Sequence, residues 1–166
     1  MSKPGGSGAL TAAQIDELLR RPIVARLATV DAHGYPAIVP VWIEWDGSAA
    51  WLVARALAGY VADIVREPRV GLSVVAEDDP DRRIQILGRA SIVEGPGPLE
   101  GRMLETARSL ARRYEGEAGL AYIEASHDWT RCLIRVDPRR IRSWSGPDWH
   151  DRYKHTTPAK TGRPDR

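Results

Sequence analysis

Short apolar runs rich in β-branched residues, separated by turn-forming residues, dominate the middle of the chain. Six of them predict strands: IVARLATVD, AIVPVWIEW, AAWLVA, RVGLSVVAE, RRIQILGRASIVE and TRCLIRVDP. The tripeptide DGS between the second and third runs is typical of a hairpin, so the first three runs predict an antiparallel meander. Gly88, in the middle of the long fifth run, indicates a bulge or a close backbone approach.

Helical periodicity occurs in three places. Thr11, followed three residues later by Gln14, forms a capping-box pattern at the start of the first predicted helix. Apolar residues at helical spacing predict a second helix over 57–65 and a third over 98–114. Six strands and three helices predict a β-dominated α+β protein, and the short, evenly spaced strands favour a barrel.

Length and local composition predict one folded domain with two tails. The chain has 166 residues, enough for one sizeable core. Residues 1–10 are rich in Gly, Ser and Pro and predict a disordered tail, 11–145 form the domain, and 146–166 form a basic tail. From Arg139 onwards there are eight basic residues and three acidic ones. A solvated terminus is the favoured interpretation, with contact to phosphate as the alternative.

Other features argue against several classes of function. The net charge of +2 is too small to indicate a nucleic-acid partner, and no apolar run approaches the length that spans a bilayer. The single cysteine, Cys132, excludes an internal disulfide and favours a cytoplasmic protein; we expect it to be a buried core thiol. Four histidines lack metal-ligand spacing, so we expect no metal site.

The order of these segments resembles the pyridoxamine 5′-phosphate oxidase-like family of flavin-binding split β-barrels. The segments that carry the resemblance, from about Thr11 to Trp144, are ARLATVDAHGYPAIVPVWIEW, AAWLVAR, REPRVGLSVV, IQILGRASIVE and CLIRVDPRRIRSW. The resemblance implies a six-stranded antiparallel split barrel of Greek-key type. It also implies a homodimer with cofactor sites at the subunit interface, and FMN or the deazaflavin coenzyme F-420 as cofactor.

In such proteins the cofactor phosphate lies where the third strand ends and the following helix begins. The resemblance therefore assigns cofactor binding to Val53, Ala54 and Arg55 at the strand exit and to Gly59 and Tyr60 at the helix start. The physical basis is sound, because a helix N-terminus carries free N–H groups and a partial positive charge. A guanidinium beside it adds bidentate contacts to phosphate, so Arg55 is the predicted phosphate residue.

The chain departs from the family at this helix. Family members usually have a basic residue, often Lys, where this chain has Tyr60, and often basic and amide residues at the positions of Ala62 and Asp63. A missing cation and an added carboxylate weaken a phosphate site. Four explanations stay open: Arg55 substitutes, another basic residue contributes, the cofactor binds weakly, or the ligand is different.

The same resemblance implies a ring-binding segment. Strand alternation puts Pro40 and Trp42 on one face and Val41 on the other, and a flat heterocycle could lie against this segment. Gln85 is predicted to reach the cofactor from the partner subunit, and Trp144 to lie near it. The alternatives are that Trp42 belongs to the core, that Gln85 faces solvent and that Trp144 anchors the dimer interface.

The favoured function is a flavin- or deazaflavin-dependent oxidoreductase that transfers hydride to or from a small planar organic substrate. No residue is assigned to catalysis, because the cofactor supplies the hydride chemistry. A non-catalytic flavin or haem carrier on the same barrel is the main alternative. An adaptor that binds a nucleic acid or another anionic partner through the basic tail is a third.

Overall fold

The structure, a computed structural model, describes residues 8–146 and contains three helices and seven strands within them. In chain order these elements are α1 (Ala12–Leu19), β1 (Ala25–Val30), β2 (Pro36–Val41), β3 (Glu44–Trp45), β4 (Ala50–Arg55), α2 (Gly59–Arg66), β5 (Arg69–Val75), β6 (Arg83–Gly97), α3 (Gly101–Ala125) and β7 (Arg131–Trp144). The predicted tails lie mostly outside the described residues. Of the N-terminal one, Gly8 pairs with Ser145 and Leu10 is buried in the core.

All strands pair antiparallel in one sheet with the order β2-β1-β5-β6-β7-β4-β3. The two terminal strands, β2 and β3, are consecutive along the chain and are separated only by Trp42 and Ile43. The sheet must therefore curl until its ends are adjacent, although no ladder of hydrogen bonds joins them. This is a split β-barrel, and the predicted β-dominated α+β class is confirmed.

Two details of the predicted topology are wrong. The run AIVPVWIEW is two strands rather than one, which gives seven strands instead of six, and β2 pairs with β1 but not with β4, so there is no simple meander. The physical reason is a side chain from α3. The Tyr114 hydroxyl accepts the N–H of Ile43 at 3.2 Å and donates to the carbonyl of Ile23 at 2.9 Å. The N–H of Ile43 is thus satisfied without a ladder where the chain crosses from one sheet end to the other.

The core has two parts, one inside the barrel and one between the barrel and α3. Trp51 and Leu133, on neighbouring strands β4 and β7, face outward and pack against Leu99, Met103 and other apolar residues of the α3 region. Their neighbours along the strands face the barrel interior. Strand β4 is therefore buried on both faces, which explains its nearly continuous apolar sequence.

The helices agree with prediction at α1 and differ in extent elsewhere. Both halves of the Thr11–Gln14 capping box are present. Helix α2 begins at Gly59, because the N–H of Ala58 forms a turn with the carbonyl of Arg55, and this leaves Leu57 fully exposed. Helix α3 continues well beyond its predicted end through a kink at Gly116, which has φ +62°. No helix within residues 8–146 is long and apolar enough to cross a membrane.

The predicted DGS hairpin joins β3 to β4, and Asp46 organises it. Its Oδ1 accepts the backbone N–H groups of Ser48 and Ala49, and its Oδ2 accepts the Trp51 indole N–H at 2.7 Å. Burial alone raises the pKa of Asp46, but these hydrogen bonds outweigh burial and hold the pKa well below its ordinary value. The ionised carboxylate therefore stabilises the folded state.

We expect Asp46→Asn to lower the free energy of unfolding at pH 7 by about 1 kcal/mol. Because the folded-state pKa lies below the unfolded value, this contribution is present above about pH 4 and is lost as the pH falls further. Urea denaturation between pH 7 and pH 3 should therefore show the difference from wild type shrinking at the acid end. The exposed control Glu117→Gln should show no such trend. A difference independent of pH would contradict the assignment.

Candidate functional site

A cavity of about 410 Å³ lies between the end of β2, the middle of β4, the start of α2 and the facing side of α3. Its lining is largely apolar, with three aromatic side chains and one arginine. The lining residues are Val24, Pro40, Val41, Trp42, Leu52, Val53, Tyr60, Ala107, Leu110, Tyr122, Ile123 and Arg131. A mostly apolar concavity with a few polar groups is the usual form of a small-molecule site.

Five of the ten residues predicted to bind a cofactor line this one cavity. Pro40, Val41 and Trp42 come from the end of β2, Val53 from β4 and Tyr60 from the first turn of α2. These segments are distant in sequence and meet because β2 and β4 approach each other at the split in the barrel. The structure thus brings the predicted ring segment next to the predicted phosphate segment.

Trp42 contributes an aromatic side chain to the cavity wall and is held by a residue of α3. The half-buried Trp42 stacks on Tyr114 of α3, with ring centroids 5.0 Å apart and ring planes 12° apart. Tyr114 is in turn fixed by the hydrogen bonds of its hydroxyl to the backbone. Pro40 is accommodated because β2 is a terminal strand with only one neighbour. The result is a flat, rigid surface suited to a planar ring.

The corner between β4 and α2 leaves the helix N-terminus accessible. Ala58 occupies the N-cap position, and no side chain caps the first turn of α2. A Cβ atom built on Gly59 meets no atom within 4 Å, so the space at the helix start is open. The uncapped N–H groups and the positive end of the helix dipole are the features that bind anions. Ala54, by contrast, is buried in the core, so only its backbone is near this corner.

Arg55 lies at this corner but points towards α3. Its Nη2 donates to the hydroxyl of Tyr122 at 2.8 Å, and its guanidinium lies 4.7 Å from the centre of the Trp129 ring. Burial raises the pKa of Tyr122, but the hydrogen bond from Arg55 and the charge of Arg131 outweigh burial and leave the pKa below its ordinary value. The surroundings of Tyr122 therefore favour negative charge.

Asp63, which departs from the family pattern, does not oppose anion binding at this corner. Its side chain is buried against β1, where Oδ2 accepts the hydroxyl of Thr29 at 2.9 Å. Its Oδ1 accepts Nη2 of Arg66 at 2.9 Å, so the carboxylate is neutralised within the second half of α2. Asp63 therefore fastens α2 to the barrel and adds no uncompensated negative charge to the helix N-terminus.

Gln85 and Trp144 lie away from the cavity. Gln85 lines a second concavity of about 670 Å³ on the outer face of β1, β5 and β6, and the guanidinium of Arg83 lies 5.9 Å from the Trp144 ring. Trp144 ends β7, whereas the cavity is at the opposite end of that strand, at Arg131, roughly 40 Å away along the strand. Within one chain these two residues do not reach the other predicted site residues, and their contribution from a partner subunit stays a prediction.

The second half of α3 and the start of β7 also contribute to the cavity lining, which was not predicted from the sequence. Tyr122 and Arg131 both line the cavity, and Nη2 of Arg131 donates to Oγ of Ser126 at 2.6 Å. Helical periodicity stops at Gly116, which hid the remaining turns of α3. Arg131 stands at the entry of an apolar strand, where a charged residue is ordinary in sequence, so only its burial identifies it.

Other candidate chemistry is sparse in the described residues. Cys132 is buried, as predicted, and burial raises the pKa of its thiol, which disfavours the nucleophilic thiolate. Residues 8–146 contain no group of three or more His, Cys, Asp or Glu side chains positioned to hold a metal ion. The cavity between β2, β4 and α3 therefore carries the strongest case for function.

Solved structures with similar folds include flavin-related and haem-related proteins. An F-420 reductase is 27% identical, with a TM-score of 0.59 over 76% of this chain and 94% of its own. A conserved hypothetical protein from Mycobacterium tuberculosis is 25% identical, with a TM-score of 0.69 over 85% and 91%. A haem storage protein from Vibrio cholerae is 19% identical, with a TM-score of 0.60 over 78% and 91%, which shows a shared fold alone.

A search of curated protein sequences found no match. The family model described as pyridoxamine 5′-phosphate oxidase, however, matches residues 11–145, which is most of the chain and includes every element of the barrel and α3. The seven-stranded split barrel and the cleft at the β4–α2 corner agree with that match. The chain belongs to the pyridoxamine 5′-phosphate oxidase family.

Proposed function

We propose that this protein is a flavin- or deazaflavin-dependent oxidoreductase that transfers hydride to or from a small planar organic substrate. Membership of the family and the likeness to an F-420 reductase support the cofactor class. The observation that carries the proposal is the cavity itself. Its lining combines Trp42, which stacks on Tyr114, with Arg131 and with Tyr60 from the first turn of α2, so the cavity lies beside the corner where β4 ends and the uncapped helix begins.

The residues present fit FMN or coenzyme F-420. Both molecules combine a flat heterocycle with phosphate, and the cavity offers a matching division between an apolar ring surface and a cationic end. Trp42 and Val53 would hold the ring, and Arg55 with the first N–H groups of α2 would hold the phosphate. When bound, the cofactor supplies hydride transfer; the chain positions it, covers one face and keeps water away.

A homodimer in the cytoplasm is part of this proposal. The outer face of β1, β2 and β6 exposes Val30, Ile38 and Leu87, an apolar set next to the concavity that contains Gln85. A second copy packed on this face would cover these side chains and would place Gln85 at the subunit boundary. Light scattering of the purified protein gives the oligomeric state directly.

The alternative is a non-catalytic carrier of flavin or haem. The fold that this chain shares with a haem storage protein supports this alternative. Tyr60 and Tyr122 are the cavity-lining side chains of a type that ligates haem iron, so a haem carrier on this site would depend on one of them.

Titration with four ligands tests the proposal. FMN, coenzyme F-420, riboflavin and haem are added separately, and binding is followed by fluorescence for the first three and by the Soret band for haem. We expect FMN or F-420 to bind, and the reduced cofactor to be reoxidised by a small organic acceptor in the presence of the protein. Binding without turnover of any acceptor supports the carrier, and no binding of FMN or F-420 overturns the proposal.

A further inference from the structure

Two arginines face each other at the end of the β4–β7 ladder. In the antiparallel register Arg55 pairs directly with Arg131. The Cβ atoms of such partners are about 5 Å apart, and like charges at directly opposed positions destabilise a sheet. This placement therefore opposes folding unless something neutralises the two charges.

No carboxylate neutralises them within the described part of the chain. The ion pairs among residues 8–146 include neither arginine. Arg131 is only 6% exposed, it lines the cavity, and its Nε has no hydrogen-bond partner. A buried charge without a counter-charge carries a large desolvation cost, so its retention calls for an explanation.

Neutral groups surround the two guanidiniums instead. Arg131 donates to the Ser126 hydroxyl and lies 5.5 Å from the centre of the Tyr122 ring, while Arg55 donates to the Tyr122 hydroxyl. Trp129 packs edge-on against Tyr122 and under both guanidiniums. Rings of this kind hold a cation in place without cancelling its charge. The cluster is therefore ordered, electropositive and open to the cavity through Arg131.

We propose that Arg131 and Arg55 form a two-arginine oxyanion site, in which Arg131 binds a phosphate or carboxylate oxygen of the ligand from inside the cavity. The proposal depends on the proposed function in one respect, namely that the ligand is the molecule bound in that cavity. Family members usually have a basic residue where this chain has Tyr60. Arg131 would supply the missing positive charge, from β7 rather than from α2.

A purely structural role makes a different prediction. Ser126 is the C-cap residue of α3, so the charge of Arg131 also lies near the negative end of that helix. If this is its whole function, removing the charge lowers thermal stability and leaves anion binding unchanged. If Arg131 is a binding residue, removing the charge relieves the repulsion with Arg55 and abolishes anion binding.

The test compares wild type with Arg131→Met, using inorganic phosphate and benzoate as probes. We expect at least one of the two anions to raise the Tm of wild type. We expect Arg131→Met to show no such rise. The anion-free Tm of the variant should equal or exceed that of wild type. The control is Arg108→Met, which removes an exposed arginine paired with Glu124 on α3 and should keep the anion response.

A conservative variant keeps the test decisive if Arg131→Met does not fold. Arg131→Lys retains the charge but lacks the planar fork and the Nε donor, and we expect anion affinity to fall about 10-fold with an unchanged circular dichroism spectrum. An unchanged anion response in either folded variant, or no response in wild type, overturns the proposal.

Flavin binding then identifies the source of the oxyanion. If Arg131→Met weakens FMN about 10- to 100-fold but not riboflavin, the oxyanion is the cofactor phosphate. If both flavins keep their affinity and only benzoate binding is lost, it is the carboxylate of a substrate. If wild type binds no flavin, the proposed function fails, and the phosphate and benzoate measurements still decide the role of Arg131.

Discussion

Arg55→Ala is expected to weaken the binding of FMN by about 10- to 100-fold and to leave the binding of riboflavin nearly unchanged. The two flavins differ by the phosphate, and Arg55 lies at the cationic corner where β4 ends and α2 begins. A charged hydrogen bond of this kind is worth more than a neutral one, and the uncapped start of α2 cannot replace it. Fluorescence titration of both flavins measures the difference.

Two controls make this result specific. Arg112→Ala removes an exposed arginine from α3 and should alter neither affinity. Tyr122→Phe removes the hydroxyl to which Arg55 donates, and we expect it to weaken FMN less than Arg55→Ala does, because the guanidinium remains. An equal loss of FMN and riboflavin affinity in Arg55→Ala would indicate a collapsed cavity rather than a lost phosphate contact.

Gly88→Ala is expected to lower the free energy of unfolding by about 2–3 kcal/mol. A Cβ atom at this position would lie 2.6 Å from the carbonyl oxygen of Asp137 on β7. That atom is backbone in a paired strand, so relief requires β6 and β7 to separate. This close backbone approach is one of the two alternatives predicted from the sequence, and the pairing of β6 with β7 also shifts register between Leu87 and Gly88. A drop in Tm of roughly 4–12 °C should follow.

A second glycine in the neighbouring strand serves as the matched control. Gly71 lies on β5, opposite Leu87, and a Cβ atom there would meet its nearest neighbour, Cβ of Ala28, at 3.7 Å, an ordinary contact. Gly71→Ala should therefore change the free energy of unfolding by well under 1 kcal/mol. Equal effects at the two positions in chemical denaturation would show that the loss at Gly88 reflects strand propensity rather than the close approach to β7.

Local features of the fold were predictable because each depends on residues close together in the chain. The Thr11–Gln14 capping box and the DGS hairpin follow from side chains and backbone groups that act over a few residues. The break at Trp42 was not predictable in this way. It depends on the Tyr114 hydroxyl, which is 71 residues from the N–H of Ile43 that it accepts.

The candidate site also has a part that was predictable from the sequence and a part that was not. Alternation along β2 and the strand–arginine–helix order, together with the family resemblance, were enough to select Trp42, Val53 and Tyr60, which the structure brings to one cavity. Neither feature selected Tyr122, because the kink at Gly116 interrupts the helical period. Whether Gln85 faces solvent or the cofactor of a partner subunit depends on how a second copy packs, which no local pattern encodes.

The sequence by itself determined the family, the β-dominated α+β class and the corner at which β4 ends with Arg55 shortly before the start of α2, because these follow from local pattern and from order along the chain. Only the tertiary structure decided that Arg131 stands opposite Arg55 and that Trp42 stacks on Tyr114. Periodicity tells which face a side chain occupies, but not which distant strand or helix supplies its neighbour. That choice depends on register and packing across the whole barrel.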